Sequence, residues 1–295
     1  MRFTVFTATY NRANLLGILY ASLKRQTFKD FEWIVVDDCS KDNTTDLFDE
    51  WTKENNGFEI RYIKREKNGG KHRAINDGMA VARGEMFFIV DSDDWLREDA
   101  LELADKLEKT IKDKDQFSGI SFCKCYPNGD LVGSTFKGEV LDATSLECKK
   151  YRIWGDKAEI FYTAVLRSFP FPEFEGEIFV TEDTVWNEIA HAGYKIRWCN
   201  QNIYFCEYLP GGLSSNAFKL YVKNPLGARY YYERHIVWYK SVSVRLQSVM
   251  QIVRFSLHAK KKNNVKGFFL FLTLIFFPLS YIIFLRDKCK LKKNE

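Results

Sequence analysis

The sequence predicts an α/β fold: a mostly parallel, Rossmann-like central sheet with flanking helices, followed by C-terminal helices. Three observations predict it. A strand-like apolar run followed by a helical run recurs four times in the first 111 residues. Polar residues gather where these strand runs stop. The last third becomes aromatic, apolar and locally basic.

Phe3–Thr9 is apolar and β-branched, and Ala13–Lys24 follows with Leu15, Leu16, Leu19 and Leu23 at helical spacing. Residues 32–36 form a second strand, closed by Asp37-Asp38-Cys39-Ser40, and 43–54 a helix. Residues 58–63 are a third strand, after which Asn68-Gly69-Gly70 leads into a helix over 71–82. Residues 85–90 are the fourth, ending in Asp91-Ser92-Asp93-Asp94, with a helix over 98–111 beyond. Strands of this buried type alternating with helices require a sheet covered on both faces. The carboxyl ends of its strands then share one edge, beside the crevice where open α/β sheets bind ligands.

Beyond residue 116 the rhythm loosens. Residues 118–125 are a strand, Pro127-Asn128-Gly129-Asp130 a turn, and 131–135 a hairpin partner. A helix is expected over 182–192, strands over 195–199 and 203–207, and a joint at Gly211-Gly212. Asn224-Pro225 supplies a cap and a first-turn proline for a helix reaching Trp238, and 243–258 forms another. The domain organisation expected is a catalytic domain over 1–215, a helical segment over 216–262 and a hydrophobic segment with a basic tail over 263–295.

The 295 residues are 46% hydrophobic and 28% charged, the composition of an ordered globular protein. The net charge of +5 is uneven: nine Lys/Arg against Asp287 and Glu295 give residues 260–295 a charge of +7, leaving −2 for the rest. A near-neutral body excludes a broad nucleic-acid-binding face. Seven cysteines without a Cys-x-x-Cys pair point to a reducing compartment, and no secretory signal is expected at the start.

Asp91-Ser92-Asp93-Asp94 is the sharpest local signal. A hard dication prefers oxygen ligands and commonly reaches protein through one or two carboxylates plus substrate phosphates. The competing reading is an acidic turn that caps the following helix. Asp38 is suited to accept a hydrogen bond from a nucleobase, with Thr7, Ala8 and Tyr10 as the pocket wall. The alternative makes Asp37/Asp38 a helix-capping loop. Lys71 and Arg73, near a helix start that itself favours anions, are candidates for phosphate contact.

These segments together carry a resemblance: Phe6-Thr7-Ala8-Thr9-Tyr10-Asn11-Arg12, Gln26-Thr27-Phe28-Lys29-Asp30-Phe31-Glu32, Val35-Val36-Asp37-Asp38-Cys39-Ser40-Lys41-Asp42, Asn68-Gly69-Gly70-Lys71, Asp91-Ser92-Asp93-Asp94 and Thr181-Glu182-Asp183. In order and spacing, over residues 1–215, the chain resembles the family 2 inverting glycosyltransferases that build bacterial cell-envelope polysaccharides. The resemblance implies an A-type glycosyltransferase fold and a nucleotide diphosphate sugar donor, usually UDP-linked. It implies that Thr7, Ala8, Tyr10 and Asp38 surround the base, Asp91 lies by the ribose, and Asp93 coordinates Mn²⁺ or Mg²⁺. Asp183 becomes the general base with Glu182 beside it. Gly211-Gly212-Leu213-Ser214 resembles the segment that closes over the donor. Cys39 stands where that family often has a small residue such as Gly.

Such an enzyme transfers its sugar in one displacement to a hydroxyl of a glycan or polyprenyl-lipid-linked acceptor. A glycosidase needs two acids across a scissile bond instead of a diphosphate clamp. A nucleotidyltransferase would want a glycine loop after the first strand, and Thr7–Arg12 has no glycine. A non-catalytic nucleotide-sugar-binding module is the third alternative.

Residues 267–285 are nineteen without a charge, fifteen of them Phe, Leu, Ile or Tyr. As a helix they span about 28 Å, near the minimum for crossing hydrocarbon. Basic residues on both sides leave a single crossing or a hairpin kinked at Pro278, and the hairpin is favoured because both clusters then reach anionic headgroups. The expected location is the cytoplasmic face of the membrane.

Overall fold

The computed structural model describes residues 1–207, 217–262 and 265–293; the Gly211–Ser214 segment lies outside the described residues. The chain divides into two compact units, Met1–Pro170 with Val185–Glu207, and Phe171–Thr184 with Tyr208–Glu295.

The first unit is built on a nine-stranded sheet. Its strands are β1 (Phe3–Thr9), β2 (Phe31–Asp37), β3 (Glu59–Lys64), β4 (Met86–Ile89), β5 (Trp95–Leu96), β6 (Phe117–Cys125), β7 (Val140–Ala143), β8 (Lys157–Tyr162) and β9 (Lys195–Phe205). Helices α1 (Ala13–Lys24), α2 (Thr44–Trp51), α3 (Lys71–Val81), α4 (Ala100–Glu108) and α5 (Thr163–Arg167) connect them. The order is β3-β2-β1-β4-β8-β6-β9-β5, with β7 also on β9. The four strands β3-β2-β1-β4 are parallel, as the alternation of strands and helices predicts. Beyond β4 the sheet is mixed, because β8 runs antiparallel to both β4 and β6.

The local reasons are visible. Every residue of β2 is buried, which suits a strand covered on both faces. Leu16, Leu19 and Leu23 of α1 are fully buried, while Trp33 of β2 packs at a tilt against Phe48, and Tyr20 stacks on Trp51. Gln26 at the end of α1 donates to Arg97 O at 2.7 Å and accepts from Leu101 N at 3.2 Å, tying α1 to α4. Gly78 lets α3 press on β1, since a Cβ there would lie 2.3 Å from the Phe6 ring.

Two expectations about β6 and β9 are corrected. Residues 131–135 form no hairpin strand: Leu131 makes only an isolated bridge to Cys125, because both edges of β6 are already taken by β8 and β9. The two strands expected over 195–199 and 203–207 are one long strand, β9, whose register against β6 shifts.

In the second unit, α7 (Ala217–Lys223), α8 (Pro225–Trp238), α9 (Val242–Ala259) and α10 (Gly267–Lys293) follow one another. Pro225 opens α8 as expected, but Asn224 does not cap it. Its Oδ1 accepts from Ile178 N, and the Glu177 carboxylate takes the free N–H groups of Leu226 and Gly227 at 2.6 and 2.8 Å. The hairpin expected at Pro278 is not formed either: α10 is continuous, with Pro278 inside it. It is the one described helix long and apolar enough to cross a membrane. Arg254 of α9 forks onto Asp287 of α10 at 2.5 and 2.9 Å, and His258 lies 3.0 Å from the same carboxylate.

Candidate active site

Because β2, β1 and β4 are parallel neighbours, their carboxyl ends lie side by side. The ladder continues past them: Asp38 N donates to Thr9 O and Val90 N to Phe6 O, both at 2.8 Å. Tyr10, Asp38 and Asp91 therefore follow adjacent strands onto one edge.

The two aspartates after β2 have different work. Asp37 is fully buried; its carboxylate accepts from Ser40 N at 2.8 Å and from the Tyr62 hydroxyl at 2.6 Å, a structural bracket for the turn. Burial and then Asp37 push the Tyr62 phenol well above its ordinary range, so it remains a donor. Asp38 accepts from Gly69 N at 2.8 Å, Gly70 N at 2.6 Å and Arg65 Nη1 at 2.7 Å. It thereby orders the glycine turn that opens α3. A side chain at Gly69 would have to move Arg65, since a Cβ would lie 2.3 Å from its guanidinium. Arg73 donates to Gly69 O at 2.8 Å, so its guanidinium braces the same turn. Between these groups Cys39 sits at φ 73°, a left-handed conformation that favours glycine and accounts for a small residue at this position.

The loop after β1 is laced to the loop after β2. Asn11, at φ 51°, donates its N–H to Ser40 Oγ and accepts from Lys41 N, both at 2.8 Å. Ala13 N donates to Asp42 at 2.9 Å. This fixes Arg12, whose Nη1 lies 2.8 Å from Asp93 Oδ2. Thr7 is fully buried, and its hydroxyl accepts from the Trp33 indole at 3.0 Å. Ala8 is half-buried and Tyr10 is exposed on this edge.

The acidic loop after β4 does not cap α4, which starts only at Ala100; Trp95 and Leu96 instead pair with β9. Lys71 Nζ meets Asp91 Oδ1 at 2.5 Å. Lys124 on β6 reaches within 3.9 Å of Asp91 Oδ2 and stands 4.0 Å over the Tyr204 ring. Burial alone would raise the Asp91 carboxyl, but Lys71 and Lys124 outweigh it and hold it below the carboxylate range. Asp94 is buried, and burial followed by the charge of Asp91 pushes its carboxyl up. Burial would lower Lys124, yet Asp91 and Asp94 hold its pKa above the usual lysine value.

Three residues of this network were not singled out from sequence: Arg65, Lys124 and Tyr204. Lys124 alone left a trace there, as a lone charge inside the apolar strand 118–125.

Among the described residues no three of His, Cys, Asp and Glu converge into a closed metal cage. Asp91 and Asp93 are instead carboxylates at an open edge, side-chain exposures 34% and 14%, each already drawing a cationic side chain. That donor set fits a hard dication shared with a ligand's phosphates.

Glu182 and Asp183 belong to the second unit, where Asp183 is the first residue of α6 (Asp183–His191). The Tyr231 phenol in that unit is held protonated well above its ordinary range, by burial first and then by the charge of Asp183.

Residues 4–117 match the family model described as glycosyl transferase family 2. Glycosyltransferase GlyG of Streptococcus pneumoniae is 26% identical over 229 residues, 74% of each chain. The GalNAc(5)-diNAcBac-PP-undecaprenol β-1,3-glucosyltransferase of Campylobacter jejuni is 27% identical over 237 residues, 75% of this chain and 71% of that one. Residues 1–349 of Staphylococcus aureus TarS, solved with UDP-GlcNAc, align at a TM-score of 0.65 and 22% identity, covering 90% of this chain and 74% of that one. At that identity the last likeness is one of fold. Residues 4–117 are accordingly similar to the family 2 glycosyltransferases, and the chain has the A-type glycosyltransferase fold.

Proposed function

We propose that this transferase moves a sugar, with inversion, from a UDP-linked donor to a hydroxyl of a glycan or polyprenyl-lipid-linked acceptor. The observation that carries the reading is the meeting of Asp38, Asp91 and Asp93 with Arg65, Lys71 and Arg12 at adjacent strand ends. Carboxylates suited to a base, a ribose and a cation stand there beside cationic groups suited to phosphate.

In this reading Thr7, Ala8, Tyr10 and Asp38 wall the base, and Asp91 receives the ribose. Lys71 and Arg73 serve the diphosphate. Asp93 would hold Mn²⁺ or Mg²⁺, which when bound stabilises negative charge on the departing diphosphate. Asp183 takes the proton from the acceptor hydroxyl as it attacks, a task worth roughly 10²–10⁴ in rate. Glu182 supports it. A single displacement leaves the anomeric centre inverted and needs no covalent sugar–enzyme intermediate.

The acceptor and location follow from the C-terminal third. Exposed Phe268, Phe271, Leu274, Ile275 and Ile282 cover α10, and basic residues flank it. A helix apolar on its open faces and cationic at both ends suits anionic lipid at the cytoplasmic membrane surface. The lipid-linked acceptor in the name of the Campylobacter relative supports the same choice. We assign 1–215 to catalysis, 216–262 to a helical segment and 263–295 to membrane attachment.

The test is a panel of nucleotide sugars with Mn²⁺ and a membrane lipid extract, following both donor hydrolysis and transfer. Transfer from a UDP-sugar to a lipid-extractable product supports the reading. Turnover of oligosaccharides alone would remove it.

A further inference from the structure

Arg12 pairs with Asp93, and the proposed chemistry gives that ion pair no task of its own. Its Nη1 lies 2.8 Å from Asp93 Oδ2 and 3.4 Å from Ser92 Oγ, with its side chain 30% exposed. The backbone on either side is pinned, Asn11 to Ser40 and Lys41, Ala13 to Asp42. A guanidinium carried on so fixed a base is held at that carboxylate, and it occupies Asp93 Oδ2. Lys71 stands in the same relation to Asp91, at 2.5 Å.

We propose that Arg12 is a tethered placeholder cation: it neutralises Asp93 until a divalent ion displaces it, and its released guanidinium then serves a phosphate oxygen of the nucleotide. The inference rests on the metal and nucleotide roles given above. Its physical content is an exchange of partners. Without nucleotide, a dication must compete with an ion pair that is already made, and the freed guanidinium has no new partner. With a diphosphate present, Asp93 gains the metal and Arg12 gains phosphate, so neither charge is stranded. Metal and nucleotide therefore bind with positive coupling, each raising the affinity of the other by the same factor.

The experiment measures Mn²⁺ binding to the full chain by the loss of the free-ion paramagnetic resonance signal, with and without UDP, in wild type, Arg12→Gln, Lys71→Gln and Asp93→Asn. Arg12→Gln is expected to bind Mn²⁺ alone roughly three- to tenfold more tightly, the scale of removing one competing ion pair. The enhancement of Mn²⁺ binding by UDP should shrink by a similar factor. Lys71→Gln also removes a positive charge but does not free Asp93, so its gain for Mn²⁺ alone should be smaller. Unchanged or weaker Mn²⁺ binding in Arg12→Gln, or a gain matched by Lys71→Gln, overturns the placeholder role while leaving the enzyme reading standing. If wild type binds neither Mn²⁺ nor UDP, or Asp93→Asn binds Mn²⁺ as wild type does, both fall.

Discussion

The Tyr204 hydroxyl donates to Asp94 Oδ2 at 2.7 Å and in turn accepts the backbone N–H of Asp91 at 2.9 Å. One phenol near the end of β9 thus holds both ends of the acidic loop. Tyr204 is itself fully buried, so water cannot take over either contact.

Tyr204→Phe should therefore cost more than a surface hydrogen bond. It leaves the buried Asp94 carboxylate and the Asp91 N–H short of a partner, a loss of about 1–3 kcal/mol. Urea denaturation followed by circular dichroism measures the loss, and UDP affinity should fall with it. A variant as stable as wild type, binding UDP equally well, would show that the loop is held by other means.

Cys39 offers the opposite sign. Its φ of 73° strains any side chain, and its thiol lies 3.3 Å from Glu66 O. Cys39→Gly removes that strain but adds freedom to the unfolded chain. The expected net gain is about 0.5–1 kcal/mol. The same urea titration checks it, and a loss of stability would mean the thiol contact outweighs the strain.

How far the sequence exposed this architecture depends on distance along the chain. The four parallel strands and their polar ends are local patterns, each read within about a dozen residues. Arg65, Lys124 and Tyr204 reach the site by pairing between distant segments. Tyr204 meets Asp91 across a sequence separation of 113, which no periodicity records. The expected 118–135 hairpin failed for a related reason. The turn does form, with Gly129 N donating to Tyr126 O, but β8 and β9 compete for β6 and win. Pro278 misled because a proline removes one helical hydrogen bond without ending a helix whose other bonds persist. Asp37 and Asp38 were indistinguishable as letters; only the buried contacts of Asp37 with Tyr62 and Ser40 separate them.

Asp183→Asn should abolish transfer while sparing the donor site. If the carboxylate is the general base, turnover falls by about a hundredfold or more, and the UDP dissociation constant stays within about twofold of wild type, well under the tenfold that 1.4 kcal/mol represents. Calorimetric UDP binding alongside a radiolabelled transfer assay separates the two effects. Transfer near the wild-type rate would end the assignment.

Attachment through α10 is tested at its exposed apolar positions, which support no internal packing. Phe271, Leu274 and Ile282 have exposures of 58%, 70% and 62%. Replacing the three with Asp should leave the circular dichroism spectrum unchanged and release the protein from vesicles containing anionic lipid. Wild type should stay bound in high salt, since buried apolar area and not charge then dominates. Equal flotation of both proteins would contradict membrane insertion of this face.

The account turns on one edge of the sheet holding a nucleotide diphosphate through Asp93 and a divalent ion. Calorimetric titration of UDP with and without Mn²⁺, in wild type and Asp93→Asn, addresses it most directly. Saturable binding that Mn²⁺ strengthens at least tenfold in wild type, a gain of about 1.4 kcal/mol, and that Asp93→Asn no longer feels, is the predicted result. UDP binding of equal strength in all four combinations, or in none of them, would contradict it.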